Sequence, residues 1–408
     1  MLKPIFESSC RDVLFNEDLL TQLKQKKFDL GINEFFDFCG FPLFHEIGLY
    51  NVVGASTYVL MEWASLAMGV PIASYVPAAQ GVTSDYGSLL ERAKNLFYLW
   101  YSLKFQNDLA AAADKVAKER NPNAPSSFEI ATTNISFCLT HSHPLLDFPR
   151  PTLFGIVDLG GIGLKKPRKL DEEWENILSK REKNVLISFG SIAPASMMPL
   201  ENRKSLLKVV SRFPNHTFIW KYEKTDDPIV QGLTNLVLTK WMPQNDLLGS
   251  GRINLFVTHG GSGSIMETST YGVPALVIPL FADQVRNSRM LERQGNGIYF
   301  WKRDLENAEI LEKALRKSLE DPSIHISANK LKRLLSKTPY TPKESLVKTI
   351  ELAVELGPGG RLLPNGRNLG WIQFLNLDLM FIFIVVILVI NMSIAKLCCL
   401  GRRKEKVQ

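Results

Sequence analysis

Short apolar runs bounded by turn residues alternate with helix-period stretches along most of the chain. The runs at 28–32, 134–140, 152–157, 184–189, 216–222, 236–238, 253–258 and 275–280 are rich in β-formers. Several, such as NVLISF and INLFVT, lack polar alternation, the pattern of strands buried on both faces of a parallel sheet. Between them, 15–27, 61–68, 89–118, 200–213, 265–271, 310–335 and 342–356 carry apolar residues at helical spacing. This order predicts an α/β fold. The turn-rich SHPLLDFPRP separates a domain at 1–148 from a second at 149–355. The Gly/Pro/Arg-rich 356–376 reads as a linker, 377–397 as a transmembrane helix and 398–408 as a basic tail.

The stretch from Trp241 to Gln284 carries the candidate chemistry. Strand 253–258 runs into the turn HGGSGS, then a helical segment that stops at Gly272 and Pro274, then strand 275–280. Such a βαβ unit places its first turn at the carboxyl edge of a parallel sheet, the usual ligand position. Gly260, Gly261 and Gly263 lack a Cβ, so a diphosphate can approach the backbone, and the following helix offers it unpaired N–H groups. His259, Ser262 and Ser264 add side-chain donors. Glu267 is placed to accept from ribose hydroxyls; Asp283 and Gln284 suit sugar hydroxyls. Trp241 supplies a flat face for a base, with Gln244 beside it.

The joint pattern W-x-P-Q-x-x-L-L, T-H-G-G, E, G-V-P and P-L-x-x-D-Q resembles the donor signature of the UDP-glycosyltransferases. More narrowly it is similar to the animal, membrane-bound branch that includes the UDP-glucuronosyltransferases. FDLGINEFFDFCG and VPIASYVPAA resemble the acceptor half of the same family. The resemblance implies a GT-B architecture: two Rossmann-like domains facing a cleft, with a C-terminal transmembrane helix added. It implies inverting transfer of glucuronate or glucose from a UDP-sugar to a small lipophilic acceptor. The UDP-sugar is then a co-substrate, and neither cofactor nor metal is implied. Ser191, in F-G-S, would face the donor phosphate, and Arg150, in FPRP, would meet a glucuronate carboxylate. Glu34 matches the acidic residue that orients the family's catalytic His.

That His lies upstream of every segment matched here. None of His45, His141, His143, His216, His259 or His325 sits in a segment matching the one that carries the family's base, and MLKPIFESSC holds no apolar leader. The expectation is a chain lacking the first part of its acceptor domain. Two readings stay open: a transferase, or a non-catalytic member that binds UDP-sugar or pairs with full-length relatives as a homo- or hetero-oligomer. Gly160, Gly161 and Gly163 do not spell G-x-G-x-x-G, which disfavours a hydride-transferring enzyme.

Charge and cysteines add location. Net charge is +7, but five basic residues against one acidic crowd the last thirteen positions, so nothing in the body calls for nucleic acid. The cationic flank of the span predicts a cytosolic tail and a lumenal body. Lys404 and Lys406 resemble a dilysine retrieval signal of endoplasmic reticulum membrane proteins. On a lumenal body, Asn134-Ile-Ser and Asn215-His-Thr would be glycosylation sequons. Cys10, Cys39 and Cys138 have no metal-like spacing; an odd set of three allows at most one disulfide, and buried free thiols are the preferred reading.

Overall fold

The computed structural model describes residues 3–404 apart from Tyr86, Gly360 and Arg361, with side chains as far as Lys396. Residues up to Leu362 form one compact unit built on two parallel sheets. The first holds β1 (Gly31–Glu34), β2 (Val52–Ser56), β3 (Ile135–Thr140) and β4 (Ile156–Asp158), in that order. The second holds β5 (Lys183–Ser188), β6 (His216–Lys221), β7 (Leu236–Thr239), β8 (Leu255–Thr258), β9 (Ala275–Val277) and β10 (Gly297–Tyr299), ordered β10-β9-β8-β5-β6-β7. Every described pairing is parallel. All four residues of β8 are buried, as the unalternated apolar run predicts for a central strand.

The order of the second sheet decides where a ligand goes. From β5 the chain winds outward through β6 to β7; from β8 it winds the other way through β9 to β10. Neighbouring connections therefore leave on opposite faces between β5 and β8, opening a crevice at their carboxyl ends. The two turns read from sequence as candidate chemistry, after β5 and after β8, flank that crevice.

Several boundaries differ from expectation. The junction at 148/149 falls too early, because β4 pairs with β3 and the chain leaves the first sheet only after Asp158. The helix Pro342–Leu356 packs back on β3 and β4, with Ala353 in one apolar cluster with Val53, Phe137 and Leu139. Asn51 Nδ2 donates to its Ala353 carbonyl at 3.0 Å. The segment 149–355 is thus shared between both sheets. The helical stretch 310–335 is two helices, Ala308–Glu320 and Pro322–Leu335, divided where Asp321 caps the second and Pro322 opens it.

The thiol expectation is overturned for two cysteines. The helix Lys3–Leu14, which the apolar pattern did not show, lies on the long helix Leu89–Arg120, with Glu7 accepting from Lys115. That places Cys10 beside the turn after β1, where it is disulfide-bonded to Cys39. Cys138 is free and buried in β3.

The first half of Leu89–Arg120 departs from an ordinary surface helix, whereas Leu109, Ala113 and Val116 of the second half are buried. Asn95, Ser102 and Gln106 are buried, whereas Leu90, Phe97 and Trp100 are more than half exposed. The cause is the irregular segment 71–83, whose backbone groups need side-chain partners. Asn95 accepts from Ala78 N–H and donates to the carbonyls of Ser74 and Val76. Gln106 accepts from Trp63 N–H and donates to the buried Glu62 carboxylate.

The second unit, from Leu363 onward, contains the helix Leu377–Lys404. Its Leu377–Lys396 stretch has mean hydropathy 2.7 and is long and apolar enough to cross a membrane. The side chains of the basic tail, including the Lys404/Lys406 pair, lie outside the described residues.

Cys10 and Cys39 are 29 positions apart, so opening their bond releases a sizeable loop of the unfolded chain. Cys10→Ser is expected to cost about 3 kcal/mol. In thermal melts the unaltered protein should lose midpoint temperature on reduction, and the Ser variant should ignore the reductant.

Candidate functional site

Both turns at the crevice depend on glycine. Gly190, just past β5, has φ +84°, and a Cβ there would stand 2.8 Å from the His259 ring. Gly260, just past β8, has φ +86°, and its Cβ would stand 2.7 Å from Val277 Cγ1. An L side chain would meet both the left-handed strain and a buried neighbour. The His259 ring is wedged between Gly190 and Gly261. The helix Ser262–Tyr271 starts directly after Gly261 with no side chain capping it, so its first N–H groups are open toward the crevice.

A cavity of about 560 Å³ occupies the crevice, a size that suits a small organic ligand. Ser191, Trp241, Gln244, Gly263, Ser264 and Glu267 line it, so six of the sequence-derived residues converge there. Trp241 is 72% exposed, with its face free apart from Lys221 Nζ at 5.2 Å from the ring centroid. Gln244 Nε2 donates to Ser264 Oγ at 3.2 Å and to Glu267 Oε2 at 2.5 Å. Burial pushes the Glu267 carboxyl above its ordinary range, opposed by the Gln244 hydrogen bond. The arrangement offers a flat aromatic face, a carboxylate for vicinal hydroxyls and an anion-binding helix end in one space.

The basic residues of this wall were missed. Lys221, the last residue of β6, donates from Nζ to the Gly190 carbonyl at 2.7 Å. Lys165, Lys166 and Arg168 also line the cavity, from the loop that follows Gly160, Gly161 and Gly163. Arg168 and Asn245 moor that loop, through Asp246 Oδ2 at 3.2 Å and the Lys165 carbonyl at 3.0 Å. The signal was present in the run LKKPRK.

Other expected residues lie elsewhere. Ser262 and Asp283 face a second, much smaller cavity of about 10 Å³, opposite Tyr58 and His141 of the first sheet's edge. Asp283 accepts from Asn287 Nδ2 at 2.6 Å, which also donates to the Gly260 carbonyl at 3.0 Å. Burial raises the Asp283 carboxyl. Gln284 is buried, and its side-chain oxygen accepts from the N–H groups of Leu280 and Phe281, so it shapes the turn after β9 and does not line the larger cavity. Glu34 ends β1 and accepts from Phe36 N–H at 2.6 Å and Thr57 Oγ1 at 3.1 Å. Arg150 corrects an expectation: it donates to the Leu60 carbonyl at 2.9 Å and lines a separate small cavity with Glu62, away from the crevice.

Residues 2–407 match the family model described as UDP-glucoronosyl and UDP-glucosyl transferase. Caenorhabditis elegans ugt-48, whose name assigns it to the UDP-glucuronosyltransferases, is 29% identical over 407 residues, 95% of this chain and 76% of that protein. Mouse UDP-glucuronosyltransferase 1A7 is 27% identical over 397 residues, 97% of this chain and 74% of that protein. Among solved structures, UDP-glucose: anthocyanidin 3-O-glucosyltransferase in complex with UDP superposes with a TM-score of 0.56 at 16% identity, over 80% of this chain and 76% of that one. The fold is the GT-B arrangement of such glycosyltransferases.

Burial pushes His259 down to about 4, and the charge of Lys221 acts in the same direction. The ring is therefore neutral at pH 7. In the unfolded chain a histidine titrates near 6.5, so between that value and about 4 the unfolded state binds more protons. Stability is fully present above pH 6.5 and declines as pH falls, by about 3 kcal/mol from this residue. His259→Gln should flatten that part of the stability profile measured by denaturant unfolding from pH 7 to pH 4.

Proposed function

Because the chain belongs to the UDP-glucoronosyl and UDP-glucosyl transferase family, we propose that the crevice cavity holds the UDP of a UDP-sugar. On this reading the chain serves transfer of glucuronate or glucose to a small lipophilic acceptor with inversion. The observation that carries it is the convergence of Trp241, Gln244, Glu267 and the open end of helix Ser262–Tyr271 on one cavity. The uracil stacks on Trp241, and the ribose hydroxyls donate to Glu267. The diphosphate takes the turns at Gly190–Ser191 and Gly260–Ser264, with the Lys221 charge nearby. An acceptor oxygen attacks the anomeric carbon from the face opposite the diphosphate. The C–O bond to UDP breaks, and its electron pair goes to a phosphate oxygen. The helix N-terminus and Lys221 stabilise that added charge. Glu34 orients the base that takes the acceptor proton.

A second reading, a chain that binds the donor without turning it over, is favoured by one observation. The Glu34 carboxylate is engaged by Phe36 and Thr57, and among the described residues no histidine is bonded to it. Release of UDP from UDP-glucose or UDP-glucuronate in the presence of a phenolic acceptor, catalysed by the purified chain, would eliminate it.

The reading extends to a single-pass protein of the endoplasmic reticulum membrane, body lumenal and tail cytosolic. The Cys10–Cys39 bond supports an oxidising compartment for the body. The two sequons then differ. Asn134 is 6% exposed, whereas Asn215 lies on the surface.

Calorimetry should detect UDP binding to the full chain, weakened about tenfold by Trp241→Ala through lost base stacking. A folded protein that takes up no UDP would end the proposal. In a secretory-competent cell, Asn215→Gln should abolish a glycosidase-sensitive mass step and Asn134→Gln should leave it. Absence of glycan at Asn215 counts against a lumenal body.

A further inference from the structure

Arg286 is fully buried, yet it belongs to no motif that points to the donor. It sits in the helix Gln284–Gln294 of the second sheet's domain and reaches out of that domain. Its Nε donates to the Pro77 carbonyl at 3.2 Å, and one Nη donates to Asp147 Oδ1 at 2.6 Å. The guanidinium lies 5.1 Å from the Phe148 ring centroid. Asp147 is held in turn by Ser142 Oγ at 2.9 Å and Phe148 N–H at 2.7 Å. Burial pushes the Asp147 carboxyl up. The charges of Arg286 and Arg150, with hydrogen bonds from Arg286 and Ser142, bring it below its ordinary range.

On the donor reading, Asp283, at the start of the same helix, takes the sugar hydroxyls. Asp283 stands three residues before Arg286, and Asn287 directly follows it. Asn287 joins Asp283 to the Gly260 carbonyl. One rigid element is therefore bonded on one side to the phosphate turn and on the other to the loop after β3. That loop begins with His141 and His143, which face Ser262 and Asp283 across the small cavity. Asp283 opens this helix opposite Tyr58 and His141, whereas Trp241, Gln244 and Glu267 stand on other elements.

We propose that Arg286 is a positioning residue. Through Asp147 and Pro77 it sets the acceptor-side edge against Asp283, and so governs how the sugar, rather than the uridine or diphosphate, is held. The proposal rests on the donor reading above, and its test separates the two. A planar guanidinium makes these divergent contacts at once, which a lysine does not.

The measurement is calorimetric titration of the full chain with UDP and with UDP-glucose, read as the ratio of the two dissociation constants. For Arg286→Met the UDP constant should stay within about twofold and the UDP-glucose constant should rise about tenfold. Arg286→Lys should recover only part of that loss. Asp147→Leu combined with Arg286→Met leaves no unpaired charge buried. It should show the same shifted ratio, and it serves if the single variant fails to fold. An unchanged ratio in folded variants overturns the proposal while leaving the donor site intact. Equal weakening of both ligands also overturns it, because the residue would then hold up the whole domain. No UDP binding by the unaltered chain defeats the donor reading and this proposal together.

Discussion

The site depends on a geometric consequence of parallel pairing. A sheet whose strands all run one way collects every strand's outgoing turn on one edge, and the reversal between β5 and β8 keeps two of those turns from being covered by their own crossovers. Each turn must leave a buried strand sharply. The backbone solution is a left-handed residue at Gly190 and Gly260, packed so closely that a single Cβ would meet His259 or Val277. The open helix end follows from that constraint. A helix that begins immediately after such a turn has no capping side chain, so its N–H groups remain for a ligand.

The second determinant is how polar groups are satisfied away from water. In the first sheet's half, an irregular segment is held by buried Asn95 and Glu62, and Gln106 and Ser102 hold Glu62 in turn, so the long helix Leu89–Arg120 points these polar residues inward. In the crevice the logic is opposite. Glu267 shares a hydrogen bond with Gln244 but keeps acceptor capacity, and Trp241 keeps an uncovered face. Polar groups that are fully engaged hold structure, and those left partly engaged mark the ligand space. Gln284 falls on the structural side of that division; Glu267 and Ser191 fall on the other.

This division explains what could be read from residues alone. The βαβ unit around His259 was legible because its chemistry is local: strand, turn and helix are contiguous, so apolar runs and glycines fix which backbone groups face outward. Trp241, Gln244 and Glu267 converge because short connections leave them little choice. Lys221 was not legible, since a basic residue at a strand end looks the same whether it faces solvent or a cavity; the run LKKPRK shows its charge but not which way it faces. Arg150 failed for a related reason. Its segment matched a pattern, but β4 joining the first sheet turned it toward Glu62 and Leu60.

The least legible features are those made by pairs far apart in the chain. Cys10 and Cys39 join only because the helix Lys3–Leu14 docks on Leu89–Arg120, and no apolar period announced that helix. Asp147 and Arg286 lie 139 positions apart, and neither stands in a sequence pattern that pairs it with the other. Burial changes their meaning. A charge removed from water is tolerated only with a well-placed partner, so each fixes the other's position far more tightly than its neighbours in sequence do. In a two-domain transferase, donor binding can be encoded within one domain, whereas the relation of donor to acceptor can only be encoded across the junction. Contacts of this second kind are therefore where chains sharing one donor signature are free to differ in the sugar and acceptor they bring together.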